Sequence, residues 1–274
     1  MRYEDQFDLD AYLGHIGWRG RPAADLPTLR GVHRAHLLSI PFENLDPLRG
    51  VAPSLDVDDL VAKLVRGRRG GYCFEHNTLL AAALRALGFG VTLLTGWVAV
   101  GAERLTDRPR SHQLLLVGVP GEPRPWLADV GFGAAGGLLE PVPLVAGEEF
   151  GTDHRRHRLT HAPRPGPLPL WVLEAWVGGS WQPQLGFTLE PFEPVHMETQ
   201  NWYVATHPRS PFARRLYAQR TLGERHLALD GRELVETLAD GSVTGRQLAD
   251  DAEVRAVLAE RFGIAVPKDV PPLA

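Results

Sequence analysis

The spacing of apolar residues changes once along the chain, between Gly88 and Gly90, and this change limits the folds that are possible. Before it, apolar residues recur at the spacing of one helix face; they are Leu79, Leu80, Ala83, Leu84 and Leu87. After it, segments rich in Val, Leu and Trp are separated by loops of Gly and Pro, which is typical of strands. The chain must therefore pack a helical region against a sheet.

Capping and stop signals predict where the individual elements lie. Helices are predicted at 8–17, 27–40, 57–66, from Cys73 to Leu87, at 197–206 and at 251–262. Strands are predicted at 91–100, 113–119, 126–130, 157–160, 170–177 and 182–187, with a hairpin within 227–236. The 274 residues fit two domains, or three small ones, at roughly 150 residues per domain. We expect an α+β multidomain fold.

Charge and composition exclude several classes of protein. The 29 basic and 33 acidic residues give a net charge of −4, and the arginines are scattered, whereas a nucleic-acid binder usually carries a basic stripe. No apolar segment reaches the roughly 20 residues of a membrane-spanning helix, and residues 1–10 lack the apolar core of a secretion signal. The single cysteine forms no intramolecular disulfide. We therefore expect a cytoplasmic protein that binds neither nucleic acid nor membrane.

That single cysteine, Cys73, stands at the predicted start of a helix, shortly after the pair Gly70-Gly71. Single cysteines are most often small buried apolar residues, but this setting is different. The free N–H groups and the positive end of the helix dipole favour a thiolate over a thiol. The same N–H groups could bind an oxyanion. The sequence thus predicts a reactive nucleophile.

A thiolate nucleophile needs a base and a group that orients the base. His112 opens one predicted strand and Asp129 closes the next, with a turn rich in Pro and Gly between them. In a symmetric hairpin that pairs Leu114 with Leu127, His112 lies directly opposite Asp129, with Cβ atoms about 5 Å apart. Alone, these two would be ordinary surface residues. Together with Cys73 they predict a catalytic triad.

Glu75 and His76 compete for the role of base, because both are close to the thiol in sequence. His76, at position i+3 from the cysteine, projects along the helix, so we expect it to pack or cap. Glu75 in the first helical turn is explained by the helix dipole and could pair with Arg69. We interpret both as supporting residues.

Residues 131–136 match the pattern G-x-G-x-x-G directly after a strand. A dinucleotide-binding loop must open a helix, and Pro141 and Pro143 prevent a helix here. The loop can still offer N–H groups to a phosphate. Because it follows Asp129 at once, it should border the active site.

Three histidines within eight residues, His154, His157 and His161, raise the question of a metal site. The three arginines between them would repel a cation, and no cysteine is near to complete a ligand set. A carboxylate such as Asp153 could supply a ligand, which leaves this alternative open. We predict no metal.

Several motifs together resemble the arylamine N-acetyltransferase family. They are the segments 40–45 (IPFENL), 69–75 (RGGYCFE), 111–117 (SHQLLLV), 126–133 (WLADVGFG) and 201–212 (NWYVATHPRSPF). These motifs occur in the family's order and cover most of the chain. One departure is Trp97, where many members have an arginine. It leaves the triad intact and affects the shape of the acceptor pocket.

The resemblance implies three domains around a papain-like Cys-His-Asp core. It implies a helical N-terminal domain over residues 1–89 that carries the cysteine, and a central β-barrel over 90–195 that carries the His and Asp. A connecting helix and a C-terminal α/β lid would follow over 196–274.

By the same resemblance, Cys73 would be the acetylated nucleophile, His112 its base and Asp129 the partner that orients the base. Phe42, Ser111 and Phe132 would bind the acceptor, and Gly131, Gly133 and Gly136 would lie beside the pyrophosphate of CoA. The family implies acetyl-CoA as co-substrate, a small arylamine or hydrazine as acceptor, a place in xenobiotic metabolism, and no metal.

The expected reaction is a ping-pong transfer of an acetyl group from acetyl-CoA to the cysteine and then to an amine nitrogen. Arylamines suit it because they are neutral at pH 7 and therefore nucleophilic. Two alternatives keep the triad: an amide synthase of the same family that closes a macrolactam from a carrier-bound acyl chain, and a thiol hydrolase. A binding domain without catalysis would need none of the three triad residues. The sequence gives no prediction of the oligomeric state.

Overall fold

The computed structural model describes residues 7–152 and 155–273. Its helices are α1 (Leu9–His15), α2 (Leu26–Ser39), α3 (Leu45–Leu48), α4 (Val57–Leu60), α5 (Cys73–Ala86), α6 (Pro194–Thr206) and α7 (Asp251–Val257). Turns of π-helix extend α4 over Val61–Arg66 and α7 over Leu258–Phe262, and 3-10 turns occupy Leu105–Asp107 and Pro211–Ala213. Among these described helices, none has the length and apolar composition needed to cross a membrane. Residues 1–6, part of the segment in which we found no secretion signal, lie outside the described residues.

The strands form two antiparallel sheets. They are β1 (Phe42–Glu43), β2 (Gly90–Val98), β3 (His112–Gly118), β4 (Trp126–Ala128), β5 (Val142–Pro143), β6 (Glu149–Thr152), β7 (Arg155–Ala162), β8 (Leu170–Val177), β9 (Ser180–Phe187), β10 (Tyr217–Leu222), β11 (Arg225–Asp230), β12 (Glu233–Leu238) and β13 (Val243–Gln247). One sheet has the order β5-β4-β3-β2-β9-β8-β7-β6, and the other has the order β1-β10-β11-β12-β13.

Helices α4, α5 and α7 begin at the predicted residues, α2 begins one residue earlier, and α6 begins at Pro194, three residues earlier than predicted. The Asp8 carboxylate accepts the Ala11 N–H at the start of α1, and Asp25 and Asp56 do the same for α2 and α4. The chain leaves α5 through Gly88, whose φ of +91° suits a glycine. These local signals depend on few residues, which is why the sequence predicts them well.

The eight-stranded sheet is a nearly closed barrel. The chain after β5 returns to β7, where the Gly147 N–H donates to the Leu159 carbonyl (2.8 Å), so the two edges approach each other. The interior is filled by Leu94, Leu114, Leu127, Leu138, Val142, Leu159, Leu173, Leu185 and Phe187. Because strand side chains alternate, Leu93 and Leu115 point outward instead and pack against the helical core around α5. The strand that begins at His112 is therefore held from both faces.

The five-stranded sheet joins the two ends of the chain. Its edge strand β1 comes from the N-terminal region and pairs with β10, and Leu45 packs in the core of this sheet. In the other direction, Met197 and Val204 of α6 pack in the core around α5. These contacts cross the predicted boundaries at residues 89 and 195, and the division into three domains stays a prediction.

Candidate active site

The pairing of β3 with β4 differs from the predicted register. Leu116, not Leu114, lies opposite Leu127, a shift of two residues. The cause is an off-centre turn: the Glu122 N–H donates to the Val119 carbonyl (3.0 Å), and pairing resumes only at Trp126. The prediction that His112 and Asp129 lie directly opposite each other is therefore wrong. A shift of two nevertheless keeps the same face, so the two side chains stay on one side of the sheet.

The two side chains meet diagonally. Nε2 of His112 lies 2.6 Å from Oδ2 of Asp129, and both residues are buried. The Cys73 side chain is close enough to His112 to raise the pKa of the imidazole, and because Nε2 faces Asp129, Nδ1 is the ring nitrogen left for the thiol. The Cys73 thiol lies 3.7 Å from the Ser111 carbonyl oxygen, to which it can donate. The structure thus brings the three predicted triad residues together.

Two glycines allow this close assembly around the first residue of α5. A Cβ on Gly131 would lie 2.7 Å from Cα of Cys73, and a Cβ on Gly70 would lie 2.0 Å from the Pro41 carbonyl oxygen. Any other residue at either position would push the backbone away. Cys73 itself begins the helix, so its own N–H has no carbonyl partner in an earlier helical turn.

Asp129 is held by residues that the sequence analysis missed. Its Oδ1 accepts hydrogen bonds from the Asn77 side chain (2.9 Å) and from the Gly131 N–H (2.9 Å). Its own N–H donates to Nε2 of His33 (3.2 Å), and Nδ1 of His33 donates to the Leu139 carbonyl (3.2 Å). Asn77 could have been found, because it lies four residues after Cys73 on the same helix face. No local signal points to His33.

These contacts set the pKa values of His112 and Asp129. Burial alone would lower the pKa of His112, but the Asp129 carboxylate and the contact with Cys73 raise that pKa to about 10. Burial would likewise raise the pKa of Asp129, yet His112, Asn77 and Gly131 lower it below its usual value. At neutral pH the pair is therefore an imidazolium and a carboxylate.

His76, the rival base, belongs to a different hydrogen-bonded chain. Its Nε2 donates to the Pro41 carbonyl (3.1 Å) and its Nδ1 accepts from Nε2 of His36 (2.9 Å). Nδ1 of His36 in turn accepts from the Tyr12 hydroxyl (2.8 Å). Burial lowers the pKa of His76 to about 4 and that of His36 well below its usual value. Both rings are therefore neutral, which agrees with the packing role predicted for His76.

Glu75 lies in a buried group of paired charges behind the helix start. Its carboxylate accepts from Lys63 (2.6 Å) and from the Tyr72 N–H (3.1 Å). The predicted pairing with Arg69 is wrong. Arg69 instead donates to Glu43 (2.7 Å) and Asp46 (3.1 Å), and Lys63 is the cation that reaches Glu75.

The glycine-rich loop forms no helix, as predicted. A Cβ on Gly133 would lie 2.6 Å from the ring of Phe42, and one on Gly136 would lie 2.2 Å from the side chain of Gln184. The Gly136 carbonyl accepts from Nε2 of His157 (3.0 Å). These glycines thus make room for protein side chains, and their contact with CoA stays a prediction.

The residues predicted to bind the acceptor lie around the triad. The ring of Phe132 stands edge-on to His112, with centroids 5.7 Å apart. Phe42 and Phe132 line a small cavity of about 20 Å³ that Asp129 also borders. The Ser111 carbonyl oxygen lies 3.7 Å from the Cys73 sulfur.

Trp97, the departure from the family pattern, follows Gly96, which pairs with His112. It is buried under the guanidinium of Arg110, 4.3 Å from the centre of its ring, with Arg164 also over the ring. The cation–π stack fixes the orientation of this indole.

Of the histidine cluster, the structure describes His157 and His161, and neither belongs to a metal-binding group of described residues. His157 bonds to a backbone carbonyl and His161 packs edge-on against Trp171. Within residues 7–152 and 155–273, no three His, Cys, Asp or Glu side chains are grouped to hold a metal ion. His154 and Asp153, which the metal alternative involved, lie outside the described residues.

Known proteins resemble this chain over nearly its whole length. A family model described as N-acetyltransferase matches residues 25–270. An arylamine N-acetyltransferase of Mycolicibacterium smegmatis is 42% identical over 261 residues, which cover 94% of this chain and 92% of that protein. The solved arylamine N-acetyltransferase of Nocardia farcinica has a TM-score of 0.90 at 42% identity, covering 97% of this chain and 92% of that one. The enzyme of Mycobacterium marinum, solved in complex with CoA, has a TM-score of 0.87 at 36% identity and 96% coverage of both chains.

Proposed function

Because the chain belongs to the arylamine N-acetyltransferase family and is therefore an acyltransferase, we propose that it transfers an acetyl group from acetyl-CoA to the nitrogen of an arylamine or arylhydrazine. The transfer takes place in two half-reactions through Cys73. The observation that supports this most strongly is the buried contact of Cys73, His112 and Asp129 at the start of α5.

In the first half-reaction, Cys73 attacks the thioester carbonyl of acetyl-CoA. The His112 imidazolium and the helix dipole favour the thiolate. As the sulfur–carbon bond forms, negative charge moves to the carbonyl oxygen, where the free Cys73 N–H can stabilise it. The bond from carbon to the CoA sulfur then breaks. CoA leaves with the proton of His112, which leaves acetyl-cysteine and a neutral imidazole.

In the second half-reaction, the amine attacks the acetyl-cysteine. Its nitrogen forms a bond to the carbonyl carbon and gives a proton to the neutral His112, and the cysteine sulfur leaves as thiolate. The products are the N-acetylated amine and the original pair of thiolate and imidazolium. Asp129 stays ionised throughout and holds the ring in place.

The burial of the triad argues for amine transfer over the thiol hydrolase alternative. Cys73 and His112 are only 3% and 2% exposed, so bulk water has little access to the acetyl-cysteine. The rings of Phe42 and Phe132 border a cavity of about 20 Å³ beside Asp129. That volume holds about one water molecule, so an aromatic acceptor would enter only where these apolar walls move apart.

The test is the intact mass of the protein after it is mixed with acetyl-CoA alone, beside the variant Cys73→Ala. The proposal predicts one added acetyl group on the wild type only, which disappears when an arylamine or hydrazine is added. If no adduct forms while Cys73 is still alkylated by iodoacetamide, acetyl-CoA is not the donor. The carrier-dependent amide synthase would then be the better account.

A further inference from the structure

Arg155, the first residue of β7, faces the inside of the molecule, and its guanidinium forms no ion pair with the residues that the structure describes. Strand side chains alternate, and Arg155 lies on the same face as the buried residues His157 and Leu159. Its Nη1 atom is buried and makes no hydrogen bond with any residue that the structure describes.

The neighbouring arginines, unlike Arg155, lie near carboxylates. Arg30 and Arg34 both lie near Glu140 (4.0 and 3.9 Å), and Arg156 pairs with Glu149. Burial and the charge of Arg34 lower the pKa of Arg155 to about 10, which leaves it charged at neutral pH. A largely buried charge without a counter-ion is costly. The position is therefore one that an anion would complete.

Arg155 also lies where two cavities meet. A cleft of about 870 Å³ separates the barrel from the five-stranded sheet, and Gly136, Arg155 and Thr237 are among its lining residues. Arg155 lines the small cavity beside Phe42 and Asp129 as well. The large cleft has the size of a site for a nucleotide-sized ligand, and Arg155 lies between this cleft and the cavity that Asp129 borders.

We propose that Arg155 binds a phosphate group of the acetyl-CoA donor in this cleft. The inference rests on the proposed function, which makes acetyl-CoA the donor. A guanidinium forms two parallel hydrogen bonds with a phosphate. Acetyl-CoA carries its phosphates at the nucleotide end and its thioester at the other end of the long pantetheine arm. With the phosphates held in the large cleft, the acetyl group extends past Arg155 toward Cys73.

The test compares two donors on the variants Arg155→Gln and Arg158→Gln. Arg158 is the matched control, because it lies on the same strand, faces outward, pairs with Glu174 (2.7 Å) and does not line the cleft. Cys73 is acetylated either by acetyl-CoA or by p-nitrophenyl acetate, which carries no phosphate. We expect Arg155→Gln to lower kcat/KM for acetyl-CoA by about 10- to 100-fold and to leave p-nitrophenyl acetate unchanged. Arg158→Gln should change neither.

Two further measurements locate the phosphate and check the electrostatics. Acetyl-dephospho-CoA lacks the 3′-phosphate. If Arg155→Gln still has a lower kcat/KM than the wild type with this donor, Arg155 binds the pyrophosphate; if the two proteins have equal kcat/KM, it binds the 3′-phosphate. Either result supports the proposal. The dependence of kcat/KM on salt should also be weaker in Arg155→Gln, because one charge contact is absent.

If Arg155→Gln lowers kcat/KM equally for acetyl-CoA and p-nitrophenyl acetate, the proposal is overturned, because Arg155 would then have a structural role. A loss confined to a carboxylate-bearing acceptor, such as p-aminobenzoate, would overturn it too, because the anion would belong to the acceptor. If acetyl-CoA fails to acetylate the wild type while p-nitrophenyl acetate succeeds, the proposed function fails together with this inference. Failure of the inference alone appears as equal acetylation of the wild type and Arg155→Gln by acetyl-CoA.

Discussion

His112 and His76 are both buried beside the start of α5, yet at neutral pH the ring of His112 is charged and that of His76 is neutral. His112 contacts the Asp129 carboxylate, and its pKa is raised to about 10. His76 contacts the Pro41 carbonyl and the ring of His36, and burial lowers its pKa to about 4. Burial is the same for both, so the hydrogen-bond partner decides which histidine is charged.

His33 refines this comparison. It touches the same Asp129, but through the backbone N–H, which can only donate. Nε2 of His33 must therefore be unprotonated, and burial lowers the pKa of this histidine to about 4 as well. Contact with the catalytic carboxylate residue is thus not sufficient to charge a histidine. The carboxylate oxygen itself must face the ring.

The largest effect should come from Asp129→Asn, which removes the carboxylate and keeps the shape. We expect kcat/KM to fall by about 10³- to 10⁴-fold, because the amide neither stabilises the imidazolium nor fixes the correct tautomer. The measurement is the rate of Cys73 acetylation by p-nitrophenyl acetate in a single turnover, with thermal unfolding to verify the fold. An activity within about tenfold of the wild type would show that the carboxylate is not what distinguishes His112.

A smaller loss is expected for His33→Leu, which leaves the Asp129 N–H without an acceptor. We expect kcat/KM to fall by about 10- to 100-fold, since a buried donor left without a partner costs about 1–3 kcal/mol and moves the carboxylate. His36→Leu is the matched control, because His36 lies one turn later on α2, is equally buried and also makes two hydrogen bonds.

The two leucine variants separate a positioning role from a structural one. Both should lower the free energy of unfolding, but only His33→Leu should lower kcat/KM and move the pH profile of acetylation. Equal activity of the two variants would contradict a positioning role for His33. Rescue of activity by His33→Gln, whose amide can both accept and donate, would support it.

The smallest effect is expected for His76→Gln and appears in the dependence of stability on pH. Because the folded-state pKa of His76 is lowered, the unfolded chain binds a proton below about pH 6.5 that the folded chain binds only near pH 4. The wild type should therefore lose stability as pH falls from about 6.5 to 4, by up to about 1.4 kcal/mol per pH unit for this group. His76→Gln should show a shallower slope with kcat/KM close to the wild type.

His112 should make the protein less stable as pH rises, whereas His76 makes it less stable as pH falls. Its raised pKa contributes stability that is fully present below about pH 6.5 and is lost as pH rises through about 10. Urea unfolding of the wild type and Asp129→Asn between pH 6.5 and 10 checks this. A stability difference between the two proteins that does not narrow with rising pH would contradict the assignment.

The sequence predicts those parts of the site that depend on local signals. Cys73 at a helix start follows from the glycine pair before it and the helical spacing after it. The starts of α1 and α4 follow from Asp8 and Asp56, and that of α2 follows, to within one residue, from Pro27. The register of β3 with β4 is not predictable in this way, because the geometry of the turn sets it. The face was still predicted correctly, since the error was an even number of residues.

Other parts of the fold depend on contacts between distant residues. His33 reaches Asp129 across 96 positions, and Arg155 stands out only because its buried Nη1 has no partner within residues 7–152 and 155–273. Strand β1 has two residues and β13 has only exposed ones, so neither has an apolar pattern to recognise. Such features become visible only when the chain is folded.

The central claim is that the Asp129 carboxylate keeps His112 charged, and that His112 in turn keeps Cys73 reactive. The most direct test is the rate of Cys73 alkylation by iodoacetamide as a function of pH, in the wild type and in Asp129→Asn. The account predicts that at neutral pH the wild type is alkylated at least about tenfold faster than Asp129→Asn, because only the wild type holds an imidazolium beside the sulfur. Equal alkylation rates for the two proteins would contradict the account.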